Sequence, residues 1–518
     1  EVSYSYIIET HINGSLYLTN PDVIDVHNFL YKPISIENVE SVMALNKEYS
    51  IYFKNLSDSS DHGHRTIIYW LAVLSIVGLF NFIKNFKIFN KIFLTNQLVN
   101  NFRGYISVAN TVPKYHLNPY NFMNITFTLL PTCLETIIIV GYMLMCSYFM
   151  FSDYTILSHN HLYGSKTIQL YRFIADRTGI LAFIQLPLLI VFGGRNNILI
   201  NLSGLPYNTF IIFHKWISRM MFILAFVHAF TYSLFALARG SFKQNFSEAY
   251  WNYGIMSLSI CLAILVQSIY YLRNLSYEIF FKLHCILVIA FLGGCLLHCW
   301  KIGWLQWIYY TSILWFTDRF LRIIHVFRNG FLIKDTELKI VSTKDPTFKI
   351  LIPKPKYFKS FPGCYVYIQI FDFKFNFWES HPFTIFDNSN FIDNGQEYIV
   401  ICVKPKKGIT DKIYKFLLTQ EGFHYKVRLI LEGPYGHHIS NIKNYDNLMI
   451  CAGGNGVPGP CYHALELILS YSENAKETNL STNTRKFRNY MFVWVIRDSE
   501  SLRWYYDELK LLLNMNAQ

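Results

Sequence analysis

The stretch IIFHKWISRMMFILAFVHAF, residues 211–230, is a long apolar segment that contains two histidines, His214 and His228. Fourteen residues turn an α-helix through about 1400°, close to four full turns, so both imidazoles lie on one helix face. They are then roughly 21 Å apart along the helix axis. The segment therefore predicts a membrane helix that presents one imidazole near each membrane surface.

A second apolar stretch, FKLHCILVIAFLGGCLLHCW at residues 281–300, repeats the interval with His284 and His298. An imidazole buried in a membrane needs partners for its polar nitrogens, and two facing helices with equal spacing supply two pairs at two depths. Each pair is suited to a flat metal macrocycle, so the pattern predicts two stacked bis-histidine haems. The alternative is that these histidines only form hydrogen bonds between helices.

The composition of the 518-residue chain indicates a membrane protein with more than one domain, because 52% of the residues are hydrophobic and 18% aromatic. The formal net charge of +12 is spread through loops, so it gives no indication of a nucleic-acid partner. Most of the ten cysteines lie in apolar segments without zinc-type spacing. We interpret them as packing thiols.

Hydropathy predicts about seven membrane spans. They lie at 66–83, 125–150, 178–194, 209–235, 251–272, 278–300 and 302–320. The loop after the first span, residues 84–121, carries five basic residues and no acidic residue, so it is predicted to be cytosolic. Seven crossings then place the N-terminus outside the cell and the C-terminal part in the cytosol.

This orientation makes His214 and His284 the inner pair and His228 and His298 the outer pair. Residues 1–65 become an extracellular segment. Its two glycosylation-type triplets begin at Asn13 and Asn55. Within the fourth span, Arg219 is about 140° around the helix from the first histidine and is predicted to pair with a carboxylate on another helix.

The pattern changes after the membrane region, 66–322. Short β-branched and aromatic runs separated by Pro, Gly and Asp predict an antiparallel β-barrel over 323–436. A strand, a glycine turn, an apolar-periodic helix and a second strand follow in 437–518. That order is typical of an α/β nucleotide-binding domain.

Several short motifs in this half indicate cofactor binding. Glycines in NLMICAGGNGVPGP let backbone amides close on a pyrophosphate before a helix. The motif His381-Pro382-Phe383-Thr384 ends a strand, and Gly408-Ile409-Thr410 begins a helix. Taken alone, the first is also explained as a strand edge stopped by proline and the second as an ordinary helix cap.

Together, the histidine pairs, HPFT at 381–384, GPYG at 433–436 and AGGNGVPGP at 452–460 resemble the fungal ferric reductases, relatives of the NADPH oxidases. The resemblance implies two b-type haems, a ferredoxin-reductase-like FAD barrel and an NADPH domain. The implied FAD contacts are His381, Pro382, Phe383, Thr384, Gly408 and Thr410. The implied NADPH contacts are Gly433, Pro434, Tyr435, Gly436, Gly453, Gly454, Gly456, Gly459 and Pro460.

The sequence departs from this family at two points. Asn455 and Pro458 replace an apolar residue and a threonine of the family's glycine turn, and a proline has neither a hydroxyl nor an amide proton to donate. The family's C-terminal Cys-Gly-Pro element is absent, so the NADPH domain at 437–518 is expected to be incomplete, or to belong to a member with a damaged NADPH domain. Arg497, after the second strand, is predicted to meet the 2′-phosphate of NADPH, or else to be a solvated strand-end arginine.

The expected function is therefore an NADPH-dependent ferric-chelate reductase in the lipid bilayer of the plasma membrane. Electrons from cytosolic NADPH would pass through FAD and two haems to extracellular ferric or cupric chelates. One alternative is a superoxide-producing NADPH oxidase. An alternative of another class is a histidine-lined metal or haem transporter, which leaves the barrel and the glycine turn unexplained.

Overall fold

The structure is a computed structural model. It describes residues 7–10, 16–19, 39–112, 120–122, 125–128, 130–158, 160, 162–372, 375, 378–393, 396–436, 447–477, 489–506, 509–510 and 513. The chain forms two compact units. One comprises 1–79, 92–197 and 208–316, and the other 80–91, 198–207 and 317–518.

Two short antiparallel hairpins and a series of helices make up the first part of the chain. The hairpin strands are β1 (Ile7–Thr10), β2 (Leu16–Thr19), β3 (Tyr120–Phe122) and β4 (Ile125–Thr128). The helices are α1 (Val39–Ile83), α2 (Lys87–Thr95), α3 (Gln97–Phe102), α4 (Cys133–Phe151), α5 (Lys166–Ile184), α6 (Leu186–Gly193), α7 (Ile198–Ser203), α8 (Tyr207–Ala238), α9 (Phe242–Asn245), α10 (Ala249–Gln267), α11 (Tyr270–Leu275), α12 (Tyr277–Cys299) and α13 (Leu305–Arg328).

Six helical segments of the described chain are long and apolar enough to cross a membrane. They are Asn46–Ile83, Cys133–Phe151, Lys166–Gly193, Tyr207–Ala238, Ala249–Gln267 and Tyr277–Cys299. The predicted helical membrane region is confirmed, and six of the seven predicted spans correspond to these segments. The seventh is also a helix, α13, but its charged residues exclude it from the apolar set.

Helix α1 begins at Val39, so it extends the first predicted span, 66–83, toward the N-terminus. Hydropathy does not predict this earlier part of the helix, because it carries polar side chains that are satisfied by residues far along the chain. Asn55, for example, is 3% exposed, and its amide donates to the carbonyl oxygens of Ile51 and Thr155. A buried helical asparagine is not a glycosylation site, so that interpretation of Asn55 is wrong. Asn13 lies outside the described residues.

A curled, seven-stranded antiparallel sheet follows, as the sequence predicted for the FAD domain. Its strands are β5 (Ile333–Ser342), β6 (Thr347–Pro353), β7 (Tyr365–Ile370), β8 (His381–Thr384), β9 (Phe386–Asp393), β10 (Gln396–Val403) and β11 (His424–Tyr435). Their order is β8-β7-β11-β5-β6-β10-β9. Helix α14 (Ile409–Leu418) buries Ile409, Ile413 and Leu417 in the core of this sheet.

The last part of the chain is a strand-helix-strand unit. Parallel strands β12 (Asn447–Gly453) and β13 (Asn489–Val495) flank helix α15 (Pro458–Glu477). Their register pairs Gly453 with Val495, so both strands end at the same edge. In doubly wound folds, ligands bind beyond the carboxyl ends of parallel strands. The predicted α/β architecture is therefore confirmed. All ten cysteines are free thiols.

Candidate functional site

The four histidines of the two 14-residue repeats form two facing pairs between α8 and α12. The ring centroids of His214 and His284 are 6.5 Å apart, and those of His228 and His298 are 6.3 Å apart. The equal spacing on both helices therefore brings one histidine of each helix together at two depths, as the sequence predicted.

The separation within each pair fits one metal ion between the two rings. A metal–imidazole bond of about 2.0–2.1 Å, plus about 1.1 Å from nitrogen to ring centre, puts opposite ligand rings about 6.2–6.4 Å apart. The pairs at 6.5 and 6.3 Å match that value. Rings joined by a direct hydrogen bond would have centroids closer together, at about 5 Å. The geometry thus fits bis-histidine haem ligation better than hydrogen bonding between the histidines.

Three of the four rings are oriented by a hydrogen bond from Nδ1 to a backbone carbonyl, which leaves Nε2 available for a metal. The Nδ1-to-oxygen distances are 2.9 Å for His214 to Leu189, 2.7 Å for His228 to Ala175 and 2.7 Å for His298 to Tyr250. His284 differs: its Nδ1 is buried and has no hydrogen-bond partner among the described residues.

Each oriented ring lies against a glycine four residues after the carbonyl that it contacts. A Cβ atom at Gly179 would lie 2.7 Å from Nδ1 of His228, and one at Gly254 would lie 2.9 Å from Nδ1 of His298. At Gly193 the corresponding distance to Nδ1 of His214 is 3.2 Å. The absence of a side chain lets the imidazole reach the helix backbone.

These glycines were not predicted from the sequence, although it contains a signal for two of them. Gly179 and Gly193 are separated by fourteen residues, the same interval as the histidines. Two glycines that repeat the ligand spacing are expected on a helical segment that supports both ligands of a neighbouring helix. The third glycine, Gly254, has no such repeat, and its role depends on knowing which helices pack together.

A cavity of about 650 Å³ surrounds the His228 and His298 pair. Its walls include Gly179, Gly254 and Tyr232. This volume lies in the range of pockets that hold cofactors and drug-sized ligands, about 300–1,000 Å³. The second pair therefore has both the ligand geometry and the space for a macrocycle.

Two arginines in the membrane helices have different kinds of partner. Arg172 forms an ion pair with Asp176 at 2.7 Å, and its guanidinium also donates to the hydroxyl of Tyr232 at 2.9 Å. The prediction that Arg219 pairs with a carboxylate is wrong. In the described part of the chain its guanidinium lies over the Trp216 ring, 4.5 Å from the centroid, because stacking on an indole shelters a cation without an acidic partner.

In the second unit, the sheet order β8-β7-β11 places HPFT and GPYG on either side of one strand. Tyr365 of β7 pairs with Thr384 on one side and with Tyr435 on the other. Thr384 is exposed at the sheet edge, while Phe383 packs against the core. His381 is half-buried, with Nε2 3.1 Å from Oε2 of Glu379.

The predicted pyrophosphate motif lies at the N-terminus of α14. Gly408 is its N-cap, with φ 115° and ψ −146°, and no side chain caps the helix. The first amides of α14 are therefore available to an anion. Thr410 directs its hydroxyl at the preceding loop, donating to the Lys406 carbonyl and accepting from the Lys406 amide, both at 2.9 Å. Thr410 thus fixes the loop that leads to Gly408.

The glycine turn and the flavin motif, far apart in sequence, come together. A Cβ atom at Gly459 would lie 3.8 Å from Cγ2 of Thr384 and 3.6 Å from Cα of Gly363. Around Gly454 and Gly456 a Cβ atom would meet nothing within 4 Å, so the turn has open space above it. A ligand bound on this turn would reach Thr384.

Prolines limit how α15 contributes to anion binding. Pro458 opens the helix and Pro460 follows two positions later. Because proline has no backbone N–H, Gly459 carries the one N–H group of these three residues. Phosphate contacts would then come mainly from the turn before the helix. Arg497 is exposed two residues after Val495, whose register partner is Gly453. It therefore lies at the strand edge where the glycine turn begins.

The C-terminal part of α13 is tied to the strand that carries GPYG. Arg322 donates from Nε and Nη2 to the two carboxylate oxygens of Glu432, at 2.8 and 3.0 Å. Asn329 donates to the carbonyls of Leu431 and Gly433. Close by, burial raises the pKa of the Cys364 thiol to about 12, so that thiol is neutral and acts as a packing group.

Fold and site define a membrane protein with two bis-histidine sites, followed by a flavin-type sheet and a dinucleotide-type α/β unit. Three family models match these parts in turn. "Ferric reductase like transmembrane component" matches 178–295, "FAD-binding domain" 333–439 and "Ferric reductase NAD binding domain" 445–518.

Curated relatives extend the similarity to most of the chain. Ferric reductase transmembrane component 6 of Saccharomyces cerevisiae is 33% identical over 93% of this chain and 67% of its own. Ferric/cupric reductase transmembrane component 2 of the same yeast is 32% identical, over 90% and 62%. A probable ferric reductase transmembrane component of Candida albicans is 34% identical, over 91% and 67%. The chain belongs to the ferric reductase transmembrane component family.

The chain spans 62% and 67% of the lengths of the two yeast relatives. Among solved structures, flavohemoglobin from Malassezia yamatoensis covers 54% of this chain and 70% of its own, at 15% identity with a TM-score of 0.27. A similarity of that size supports no inference.

Proposed function

We propose that the chain is the electron-transferring part of an NADPH-dependent ferric-chelate reductase. The overall reaction moves electrons from NADPH on one side of the membrane to a ferric chelate on the other. By analogy with the ferric/cupric relative, cupric chelates are a second class of acceptor. When bound, FAD takes a hydride from NADPH and releases single electrons, and the haems conduct those electrons across the membrane.

The observation that carries this proposal is the pair of metal-sized gaps between α8 and α12. The two histidine pairs, with centroids 6.5 and 6.3 Å apart, occur on the same two helices at two depths. In this arrangement His214 and His284 hold one haem, and His228 and His298 the other. Two stacked redox centres provide a path through the bilayer, which a single metal site does not.

The chain's own residues then bind and orient the soluble cofactors. Thr384 and the amides at the start of α14 after Gly408 hold FAD, by a flavin hydrogen bond and by pyrophosphate contacts respectively. GPYG at 433–436 and the glycine turn hold the nicotinamide nucleotide, with Arg497 placed for a 2′-phosphate. The approach of Gly459 to Thr384 supports this assignment, because a nicotinamide must lie against the flavin for hydride transfer.

We infer a plasma-membrane protein whose N-terminus is outside and whose FAD and nucleotide domains are cytosolic. This orientation requires α13 to cross as a seventh span. One face of α13 supports it, because large apolar side chains recur every three or four residues and are more than half exposed. They are Ile313, Phe316, Phe320, Ile323 and Phe327. Such a stripe is suited to lipid.

The alternatives explain fewer of these features. A histidine-lined transporter has no use for the FAD-binding and NAD-binding domains that follow the helices. It also does not explain why three imidazoles are fixed by Nδ1 with Nε2 left free. A superoxide-producing oxidase shares the cofactors, so it is separated from the reductase by the identity of the acceptor.

The decisive experiment is a reduced-minus-oxidised spectrum of the purified protein, with haem and flavin quantified per chain. We expect two haems and one FAD. His228→Ala or His298→Ala removes one haem, and His214→Ala or His284→Ala removes the other, while each variant keeps its FAD. If His228→Ala retains two haems with unchanged spectra, the ligand assignment is wrong and the proposed function loses its main support.

A further inference from the structure

Three of the four ligand histidines are held by the same backbone arrangement, and His284 is the exception. In an α-helix, each carbonyl accepts the amide of the residue four positions later, and its second lone pair remains free. Three ligand histidines use that second lone pair. The carbonyl and its glycine are Ala175 with Gly179, Leu189 with Gly193, and Tyr250 with Gly254.

The first two of these supports are fourteen residues apart, like the ligands that they hold. The same 14-residue interval, counted from the third carbonyl and glycine, therefore gives the expected position of a fourth support. Fourteen residues after Tyr250 and Gly254 come Ile264 and Ser268. This fourth carbonyl is thus followed by a serine, where the other three are followed by a glycine.

The register of α10 against α12 predicts that Ile264 lies at the level of His284. Tyr250 meets His298, and a Cβ atom at Gly294 would lie 2.5 Å from Oγ of Ser257, so the contacts run along an antiparallel register. Moving fourteen residues back along α12 and forward along α10 pairs position 284 with position 264. The rule therefore predicts an Nδ1 bond from His284 to the Ile264 carbonyl.

That bond is absent, and Ser268 explains why. The Ile264 carbonyl accepts the Ser268 amide at 3.2 Å and the Ser268 hydroxyl at 2.6 Å. The hydroxyl bond is much shorter than the 3.2 Å contact of the Thr178 hydroxyl with the Ala175 carbonyl, so at Ile264 the second lone pair is used. Ser268 also has a Cβ atom at the position where each of the other three sites has a glycine. Nδ1 of His284 is buried without a partner among the described residues.

We propose that Ser268 is a positioning residue that weakens one axial ligand and so makes the His214 and His284 haem different from the other haem. A hydrogen bond from Nδ1 makes an imidazole a stronger electron donor and fixes its ring. A stronger donor favours the ferric state. Without this bond, His284 is the weakest donor of the four, and its haem has the higher reduction potential and the faster release.

This inference rests on the proposed haem ligation and concerns how the two haems share electrons. With both haems bound, a higher potential at the His214 and His284 site would make it the site that holds an electron while no acceptor is present, and the His228 and His298 site the one that passes the electron on. The serine thus gives the two sites unequal potentials even though their ligands are identical.

The test is Ser268→Gly in the full chain, which frees the Ile264 carbonyl and removes the Cβ atom. We expect a spectroelectrochemical titration to show the higher of the two midpoint potentials falling toward the lower, which stays unchanged. Transfer of haem to apomyoglobin in detergent should lose its faster phase, slowing by about 10–100-fold. Haem and FAD content should stay at the wild-type values.

Ser259→Gly is the matched control. Ser259 is on the same helix, is exposed, and makes the same kind of bond, from its hydroxyl to the Ile255 carbonyl at 2.8 Å. It should change neither potential. If Ser268→Gly binds two haems and leaves both potentials and both release rates unchanged, the inference is wrong. If the wild-type protein itself lacks two haems, the proposed function fails instead.

Discussion

At the scale of single residues, the proposed haem sites depend as much on glycines as on histidines. A ligand histidine supplies a nitrogen, but its ring orientation comes from a helix backbone that it reaches only where a side chain is missing. Gly254 is one such case, since an added Cβ atom would lie 2.9 Å from both Nδ1 and Cε1 of His298. Real Cβ atoms do not approach that closely, so the ring must move.

We therefore predict that Gly254→Ala displaces His298 and weakens the His228 and His298 haem. The expected loss of haem affinity is about 10–100-fold, typical of removing a support of a metal ligand. The measurement is haem per chain after gel filtration, combined with the reduced spectrum. Gly293→Ala is the control, because a Cβ atom there meets nothing within 4 Å. Equal haem retention in both variants would contradict the role of Gly254.

At the scale of helices and strands, the sequence predicted what depends on local pattern. The 14-residue interval places two histidines on one helix face whatever surrounds the helix, and the order of strand, glycine turn and helix is equally local. The beginning of α1 was missed because Asn55 and Ser59 are polar. Their partners, Thr155 and Arg177, are on elements far along the chain. Hydropathy cannot represent such tertiary pairing.

A second prediction concerns the turn that begins α14. Gly408 has φ 115° and ψ −146°, a backbone conformation that is open almost only to glycine. Gly408→Ala should therefore strain or shift the turn at a cost of about 1–3 kcal/mol and weaken FAD binding. The control is Gly422→Ala, at φ 68° in a turn beyond the other end of the helix. The measurement is FAD retained per chain at constant haem content. Normal flavin retention in Gly408→Ala would show that the motif is an ordinary helix cap without a role in FAD binding.

The attachment of α13 to the sheet gives a third prediction. Arg322 and Glu432 are largely buried and joined by two hydrogen bonds, so removing one partner leaves a buried charge. Arg322→Met should destabilise the FAD-binding unit by up to about 3–5 kcal/mol. Arg322→Lys should restore only part of this loss, because lysine lacks the bidentate fork. Thermal release of FAD fluorescence measures both. A melting temperature unchanged in Arg322→Met would show that the pair is energetically neutral.

At the scale of the whole molecule, the number of crossings decides on which side the cofactors bind. Six crossings put the loop after α1 and the FAD domain on opposite sides of the membrane, whereas a seventh crossing by α13 puts them on the same side. We predict the second arrangement. A protease site inserted at 241–247 should be cut from outside in intact spheroplasts. A site at 405–407 should be cut only after permeabilisation. External cleavage at 405–407 would show that α13 does not cross.

The last prediction concerns the acceptor, and the structure restricts where it can bind. Tyr163, in the loop between α4 and α5, is 5% exposed and so offers little surface to an acceptor. The cavity of about 650 Å³ beside His228 is occupied by its haem under our proposal, so a bulky chelate must accept electrons from outside it. Binding should then be brief and tolerant of chelate structure.

In sealed right-side-out vesicles that contain NADPH, the full-length protein should therefore reduce an external ferric chelate, and His228→Ala should abolish the reaction. Oxygen would also reach a reduced haem held by His228 and His298, so some superoxide is expected as a side product. Because the chelate receives electrons directly, superoxide dismutase should leave the rate of ferric reduction unchanged. If the dismutase abolishes that reduction, oxygen is the true acceptor and the chain functions as an oxidase.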